Sequence, residues 1–252
     1  MASLSGRHAL VTGGGRGIGR AIAATLAAAG AGVTVTGRQQ AALEETVGAG
    51  DAAGYFLADV TDARALASGI AAATKARGPV DILIANAGAA DSAPFAKADA
   101  AHFQRMFDLN VMGVVHAAQA VIGPMVSRAF GRIVVVASTA GLKGYPYVSA
   151  YCAAKHAAVG LVRALALETA KTGVTVNAIC PGYTDTDLVR ASADRIAGKT
   201  GRSREDAMAE FAKAPIGRLI RPQEVAAAAL YLCQPDAAAV TGATLTVAGG
   251  EL

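Results

Sequence analysis

The 252-residue sequence predicts an α/β fold, a doubly wound parallel sheet in a single domain, with about seven strands flanked by helices. Three observations carry that expectation. Short runs rich in β-branched residues alternate with Ala-rich helical runs along the whole chain, and such alternation folds as parallel strands joined by right-handed helical crossovers. A glycine-rich turn follows the first strand at once. Apolar residues make up 53% and charged residues 17%, which excludes disorder and lets a chain of this length bury a sizeable core.

His8–Thr12 reads as the first strand. Gly13, Gly17 and Gly19 follow in a GxxxGxG spacing, then a helical run from Arg20 to Ala29 closed by Gly30, then a strand over Val33–Thr36. Strand, glycine turn, helix and strand form a βαβ unit. The glycines let backbone approach a ligand closely, and the helix start offers unpaired N–H groups and a positive dipole end to a phosphate. A site for NAD(H) usually ends the second strand with an acid that holds a ribose hydroxyl. Thr36-Gly37-Arg38 stands there instead. Arg38 can grip a 2′-phosphate through its bidentate fork, and Arg16 offers a second cation. The pattern favours NADP(H) over NAD(H); the plain alternative is two solvated surface arginines.

The alternation continues. A third strand covers 54–58, with Asp59 and Val60 at its carboxyl end, and a helix runs over about 62–77. Asp81–Ala85 is a fourth strand ending in Asn86-Ala87-Gly88. A long helical region spans about 100–128; Asn110 within it is a poor helix former and marks a kink or a polar network. Ile133–Val136 is a buried strand leading to Ser138, and a helix runs from Tyr151 to about 171. Val174–Ile179 is the sixth strand, followed by a loop from Pro181 to Thr186. Residues 187–215 hold charge without clear period and suggest a mobile helical lid beyond the strand ends. Pro222–Leu232 is a helix and Ala243–Val247 the last strand.

Tyr151 and Lys155 are four residues apart on a helix and so share a face. An ammonium beside a phenol favours the phenolate. Bringing a tyrosine from about 10 to about 7 takes roughly 4 kcal/mol, at about 1.4 kcal/mol per unit, which one lysine together with a positively charged cofactor ring can supply. Such a phenol can exchange a proton at neutral pH. The alternative is a surface Tyr–Lys pair, since YxxxK is common by chance.

The formal charge of +4 and pI of about 9.1 come without a clustered basic run. They suit anionic small ligands better than nucleic acid. Cys152, Cys180 and Cys233 show neither disulfide nor zinc spacing and point to a reducing, cytoplasmic setting. The N-terminal residues lack an apolar signal core. Residues 21–37 carry no charge, yet Gly30 and Gly32 interrupt them, which argues against a membrane span.

Taken together, Thr12-Gly13-x-x-x-Gly17-x-Gly19, Asn86-Ala87-Gly88, Asn110, Ser138, Tyr151-x-x-x-Lys155 and Pro181-Gly182 resemble the short-chain dehydrogenase/reductase family in order and spacing, over essentially the whole chain. One departure is Ala85, where the family carries a second asparagine. The resemblance implies a Rossmann-type oxidoreductase acting on a carbonyl or secondary alcohol. Tyr151 would be its acid–base residue. Lys155 would tune Tyr151 and bind the nicotinamide ribose, Ser138 would hold the substrate oxygen, and Asn110 would anchor a water in a proton path. Thr12, Gly13, Ile18 and Gly19 would belong to the phosphate turn. Asp59 and Val60 would meet the adenine; Asn86, Ala87 and Gly88 the adjoining ribose. Pro181, Gly182, Thr184 and Thr186 would meet the carboxamide or phosphates. The substrate rim would be Ala90, Ala140, Tyr145, Tyr183 and Leu188, small and apolar.

Within that family the chain looks most like β-oxoacyl reductases, polyketide ketoreductases and secondary-alcohol dehydrogenases. The favoured substrate is a β-oxoacyl thioester; small or aryl ketones and secondary alcohols are the alternative. The resemblance also implies a homotetramer built through the helices at 100–128 and 150–171, and no metal. A dinucleotide-binding regulator without catalysis is the non-enzyme alternative, against which the intact Asn110, Ser138, Tyr151 and Lys155 argue.

Overall fold

A computed structural model describes residues 4–252. In chain order the elements are β1 (His8–Thr12), α1 (Gly17–Ala28), β2 (Gly32–Gly37), α2 (Gln40–Gly48), β3 (Gly54–Leu57), α3 (Ala63–Arg77) and β4 (Ile82–Ala85). Then come α4 (Ala100–Phe107), α5 (Gly113–Ser127), β5 (Gly131–Val136), α6 (Ser149–Thr169) and β6 (Val174–Pro181). The chain closes with α7 (Asp187–Thr200), α8 (Arg204–Ala209), α9 (Pro222–Cys233) and β7 (Thr244–Val247).

All strand pairs are parallel, and the seven-stranded sheet has the order β3-β2-β1-β4-β5-β6-β7. Successive strand residues face opposite layers. Ile133 and Val135 of β5 join a core with Leu66 and Ile70 of α3, Val121 of α5 and Val162 of α6. Val134 and Val136 join the other core, with Ile22 and Leu26 of α1 and Val225 and Leu232 of α9. A strand covered on both faces has no polar face to show, which is why β4 and β5 read as unbroken apolar runs. The stretches 100–127 and 149–169 are long and apolar enough to cross a membrane by length and composition. Here their apolar stripes are taken up under the sheet.

The order places the switch in winding between β1 and β4, and a crevice opens beyond the carboxyl ends of those strands. Several element bounds differ from the sequence expectation, each for a physical reason. Helix α1 begins at Gly17, inside the glycine turn, because the first N–H groups of a helix have no intrahelical partner and glycine costs little there. Helix α2 was not expected at all: only Leu43 and Thr46 of it are buried, so its sequence carries almost no apolar period. The long helix expected over 100–128 is broken at Asp108–Met112 by one turn of π-helix containing Asn110. Residues 187–215 contain two helices, α7 and α8, rather than one unperiodic stretch.

Candidate active site

The crevice is a cavity of about 790 Å³. Its floor at one end is the glycine turn. Gly13 and Gly17 adopt positive φ, +65° and +53°. A Cβ on Gly19 would stand 2.2 Å from the Gly13 carbonyl oxygen and 2.5 Å from Asn86 Nδ2, so nothing larger than glycine fits. Asn86 Nδ2 donates to Thr12 O at 2.9 Å and to Gly13 O at 3.2 Å. Thr12 Oγ1 accepts from the N–H groups of Asn86 and Ala87, both at 3.0 Å. These bonds lock β4 to the turn. The first turn of α1 carries no acid, and no side chain caps it. Its free N–H groups and dipole face the cavity, the arrangement that accepts a phosphate.

Across the crevice, Arg38 ends β2 on an exposed side chain and pairs with Asp59 Oδ2 at 3.5 Å. Asp59 Oδ1 also accepts from Thr61 N at 3.0 Å and Thr61 Oγ1 at 2.8 Å. Burial pushes the Asp59 pKa up, but the bonds from Thr61 and Arg38 outweigh it and leave the carboxyl below its usual value.

At the other end, β5 delivers Ser138 and α6 delivers Tyr151 and Lys155. The Ser138 hydroxyl bonds the Tyr151 phenol and accepts from Ala140 N at 3.1 Å. Lys155 is buried; Nζ donates to Val136 O at 2.9 Å and lies 5.6 Å from the centre of the Tyr151 ring. Without the cofactor ring that the expectation also invoked, the two groups behave differently. Spacing alone predicts a phenol acidified by its ammonium neighbour. In the protein alone burial dominates both groups: it pushes Tyr151 up to about 12 despite the Ser138 bond, and Lys155 down to about 8. The four-residue spacing does bring the side chains onto one face, and Lys155 commits one of its three donors to a β5 carbonyl.

Asn110 sits on the π-turn, its Nδ2 bonding Ala89 O and Met106 O, both at 3.0 Å. Its Oδ1 is buried without a protein partner and faces Gly88, where a Cβ would lie 2.7 Å from Oδ1 and 3.5 Å from Lys155 Nζ.

The cavity wall thus gathers Gly13, Arg16, Gly17, Ile18, Gly19 and Arg38 from the first βαβ unit. Asp59, Val60, Asn86, Ala87, Gly88 and Asn110 follow from the middle of the chain. Tyr151, Lys155, Thr186 and Leu188 line it as well. Other expected residues stand elsewhere. Thr12 is buried behind the turn. Pro181 is buried in β6 and Gly182 follows it, while Thr184 is buried with its hydroxyl donating to Gly182 O at 3.0 Å. Ala140 is buried and presents no side chain to a ligand. Tyr145 and Tyr183 form a separate aromatic wall, with ring centres 6.0 Å apart. Tyr183 also stacks edge-on with Phe211 at 4.8 Å. Sequence reasoning missed Phe211, and also Gln39, Ala42, Leu109 and Ala191 on the cavity wall. None lies in a motif, and only the fold reveals them.

The three cysteines are free and buried. Burial raises Cys180 and carries Cys233 up to about 12, so both keep their protons. Among the described residues no group of His, Cys, Asp or Glu is placed to hold a metal ion.

A sequence profile described as short chain dehydrogenase matches residues 7–197. The chain is 38% identical over 249 residues to an acetoacetyl-CoA reductase of Rhizobium meliloti, covering 97% of this chain and 98% of that one. It is 38% identical over 253 residues to a D-beta-hydroxybutyrate dehydrogenase of Cupriavidus necator, covering 98% of each. A crystal structure of an actinorhodin polyketide ketoreductase variant with NADPH superposes at a TM-score of 0.94, with 36% identity, over 100% of this chain and 99% of that one.

Proposed function

Because the chain belongs to the short-chain dehydrogenase family, we propose that it is an NADP(H)-dependent oxidoreductase that interconverts a carbonyl and a secondary alcohol, with a β-oxoacyl thioester as its favoured substrate. The observation that carries this is Tyr151 and Lys155 lining one end of the crevice, with Ser138 beside the phenol, and a phosphate-accepting turn at the other end. The crevice fits a dinucleotide. The polar groups run from the turn past Asp59 to Lys155, and Gly13 and Gly19 let Asn86 and Ala87 pack tightly against the turn that faces the crevice.

When bound, the reduced nicotinamide supplies the hydride. The chain's own residues do the rest. Ser138 and Tyr151 offer two hydroxyls to one carbonyl oxygen and stabilise the charge that develops there. Tyr151 then gives its proton. A phenol at about 12 is a willing proton holder, and the cationic form of Lys155 lowers the cost of releasing that proton. Asn110 Oδ1, the open acceptor beside Gly88 and Lys155, is suited to bond a water that returns the proton from solvent. Arg38, turning from Asp59, and Arg16 would hold the 2′-phosphate that distinguishes NADP(H).

The segment 187–215 acts as the substrate lid, a reading supported by Asp187, Leu188 and Ala191, which line the crevice. The working enzyme is a cytoplasmic homotetramer, a proposal supported by Leu167 and Met112, which stand exposed on the long α4–α6 layer. A second reading, a cyclic or aryl ketone as substrate, is favoured by the aromatic wall of Tyr145, Tyr183 and Phe211.

The test is Tyr151→Phe, assayed by NADPH absorbance on a β-oxoacyl thioester and on an aryl ketone. Loss of general acid catalysis lowers turnover by about 10²–10⁴-fold while NADPH fluorescence titration stays unchanged. Near-normal turnover in that variant would overturn the mechanism.

A further inference from the structure

The chain's last turn packs against the loop after Ser138, beside the aromatic wall of Tyr145 and Tyr183. Gly249 and Gly250 both adopt positive φ, +60° and +85°, and a Cβ on Gly249 would stand 2.3 Å from Ile216 Cγ2. Two glycines are therefore required for the reversal. Backbone bonds fix the turn: Gly182 N donates to Val247 O and Ile216 N to Gly249 O, both at 3.0 Å. The reversal aims Glu251 at the loop that follows Ser138.

There its carboxylate makes two attachments, and its backbone carbonyl a third. Tyr145 donates its hydroxyl proton to Oε1. Lys143 Nζ lies 3.1 Å from Oε1 and 3.5 Å from the Glu251 carbonyl oxygen. The Tyr145 oxygen in turn stands 2.7 Å from Thr139 Oγ1; because its only proton is committed to the carboxylate, it accepts from Thr139. Thr139 is the residue next to Ser138. Burial and the Glu251 bond both raise the Tyr145 pKa, so this proton stays in place. The Tyr145 hydroxyl is thus unavailable to a substrate, and its ring is left as the polar-free face of the aromatic wall.

The Glu251 side chain is only 14% exposed. Its Oε2 has no protein partner and presses on Gly182, where a Cβ would be 3.0 Å away. That gives Gly182 a reason independent of cofactor binding: it makes room for the tail.

We propose that Glu251 is the positioning residue of the substrate side, holding Lys143, Tyr145 and through Thr139 the Ser138 loop in the shape that accepts the carbonyl substrate. The proposal rests on the oxidoreductase function above. It touches neither the hydride nor the proton step.

The experiment compares wild type, Glu251→Ala, Glu251→Gln, Tyr145→Phe and the double variant Glu251→Ala/Tyr145→Phe, with acetoacetyl-CoA and an aryl ketone as probes. Losing a hydrogen bond to a charged group raises KM for the carbonyl by about 10-fold or more, with kcat within about 3-fold and NADPH binding unchanged. Glu251→Gln falls between, since the amide still accepts from Tyr145 but no longer attracts Lys143. The double variant is no worse than Glu251→Ala, because both changes cut one connection. Amide hydrogen exchange over 139–148 quickens in Glu251→Ala while that over 12–19 does not. An unchanged KM, additive losses in the double variant, or unchanged exchange in the loop would each overturn the proposal. If wild type reduces neither probe, the functional reading fails, and the exchange measurement still decides whether Glu251 holds the loop.

Discussion

The two ends of the crevice are built in different ways. The cofactor end consists of short segments, each at the end of one strand: Gly13–Gly19 after β1, Arg38 after β2, Asp59 after β3, Asn86–Gly88 after β4. Its spacings are local, and backbone fixes its shape. The proposed substrate end is assembled from Thr139, Tyr145, Tyr183, Phe211 and Glu251, and the Tyr145–Glu251 bond spans 106 residues of chain. Side chains fix that shape. The difference teaches that one end of a site can be held by strand ends and local backbone, while the other depends on tertiary bonds that a few substitutions would rewire.

The strongest way to break the comparison is at Gly19. If the cofactor end is rigid backbone, Gly19→Ala drives a methyl to 2.2 Å from the Gly13 carbonyl, and the turn has to move. The expected outcome is loss of NADPH binding beyond the range of a fluorescence titration, with a lowered Tm. Binding within a few-fold of wild type would show the turn to be pliable. Next in size, Arg38→Asp places an acid where β2 ends beside Asp59. It is expected to move the ratio of kcat/KM for NADPH over NADH by about 10²-fold, the cost of a lost charge-assisted bidentate contact; an unchanged ratio would remove Arg38 from phosphate recognition.

The smallest effect is expected at the seam between the two ends, on stability. Lys155 titrates at about 8 in the folded protein against an ordinary 10.5. Between those values the unfolded chain binds more protons, so folding stability rises with pH across that window, and below about 8 the folded state carries the full penalty of a buried ammonium. Lys155→Met removes that penalty and leaves only the Val136 carbonyl unpaired. At pH 7 the cofactor-free variant should melt a few degrees higher, as a gain of about 1–2 kcal/mol implies, and the gap should close by pH 10, while turnover is lost. Thermal melts of both proteins at the two pH values check the sign.

How much could be read from the chain follows the same division. The alternation of β4, β5 and their helices, the glycine turn and the Ser138–Tyr151–Lys155 spacing are short-range patterns, and each was visible. Asn110 announced a break in a long helix, since asparagine fits a helix interior poorly. Helix α2 was invisible because its exposed face is nearly its whole surface. That burial raises Tyr151 in the chain without cofactor could not be read from the sequence, because spacing tells which groups are neighbours but not how deeply they are buried. Phe211, Gly249, Gly250 and Glu251 were passed over, since their partners lie far away along the chain and nothing local marks them.

The widened turn at Asp108–Met112 sets the phase of everything after it. An α-helix advances about 100° per residue, and a π-turn accommodates one residue more than a regular turn. That extra residue lets His102 and Met106 of α4 face inward on one azimuth while Val114, Ala117 and Val121 of α5 face the sheet on another. Excising one residue there would yield a straighter, better-bonded rod whose second half is rotated about a third of a circle, its greasy stripe swung out of the sheet. Local regularity and global fit are opposed at this point, and the irregularity is what lets a single rod serve two neighbours.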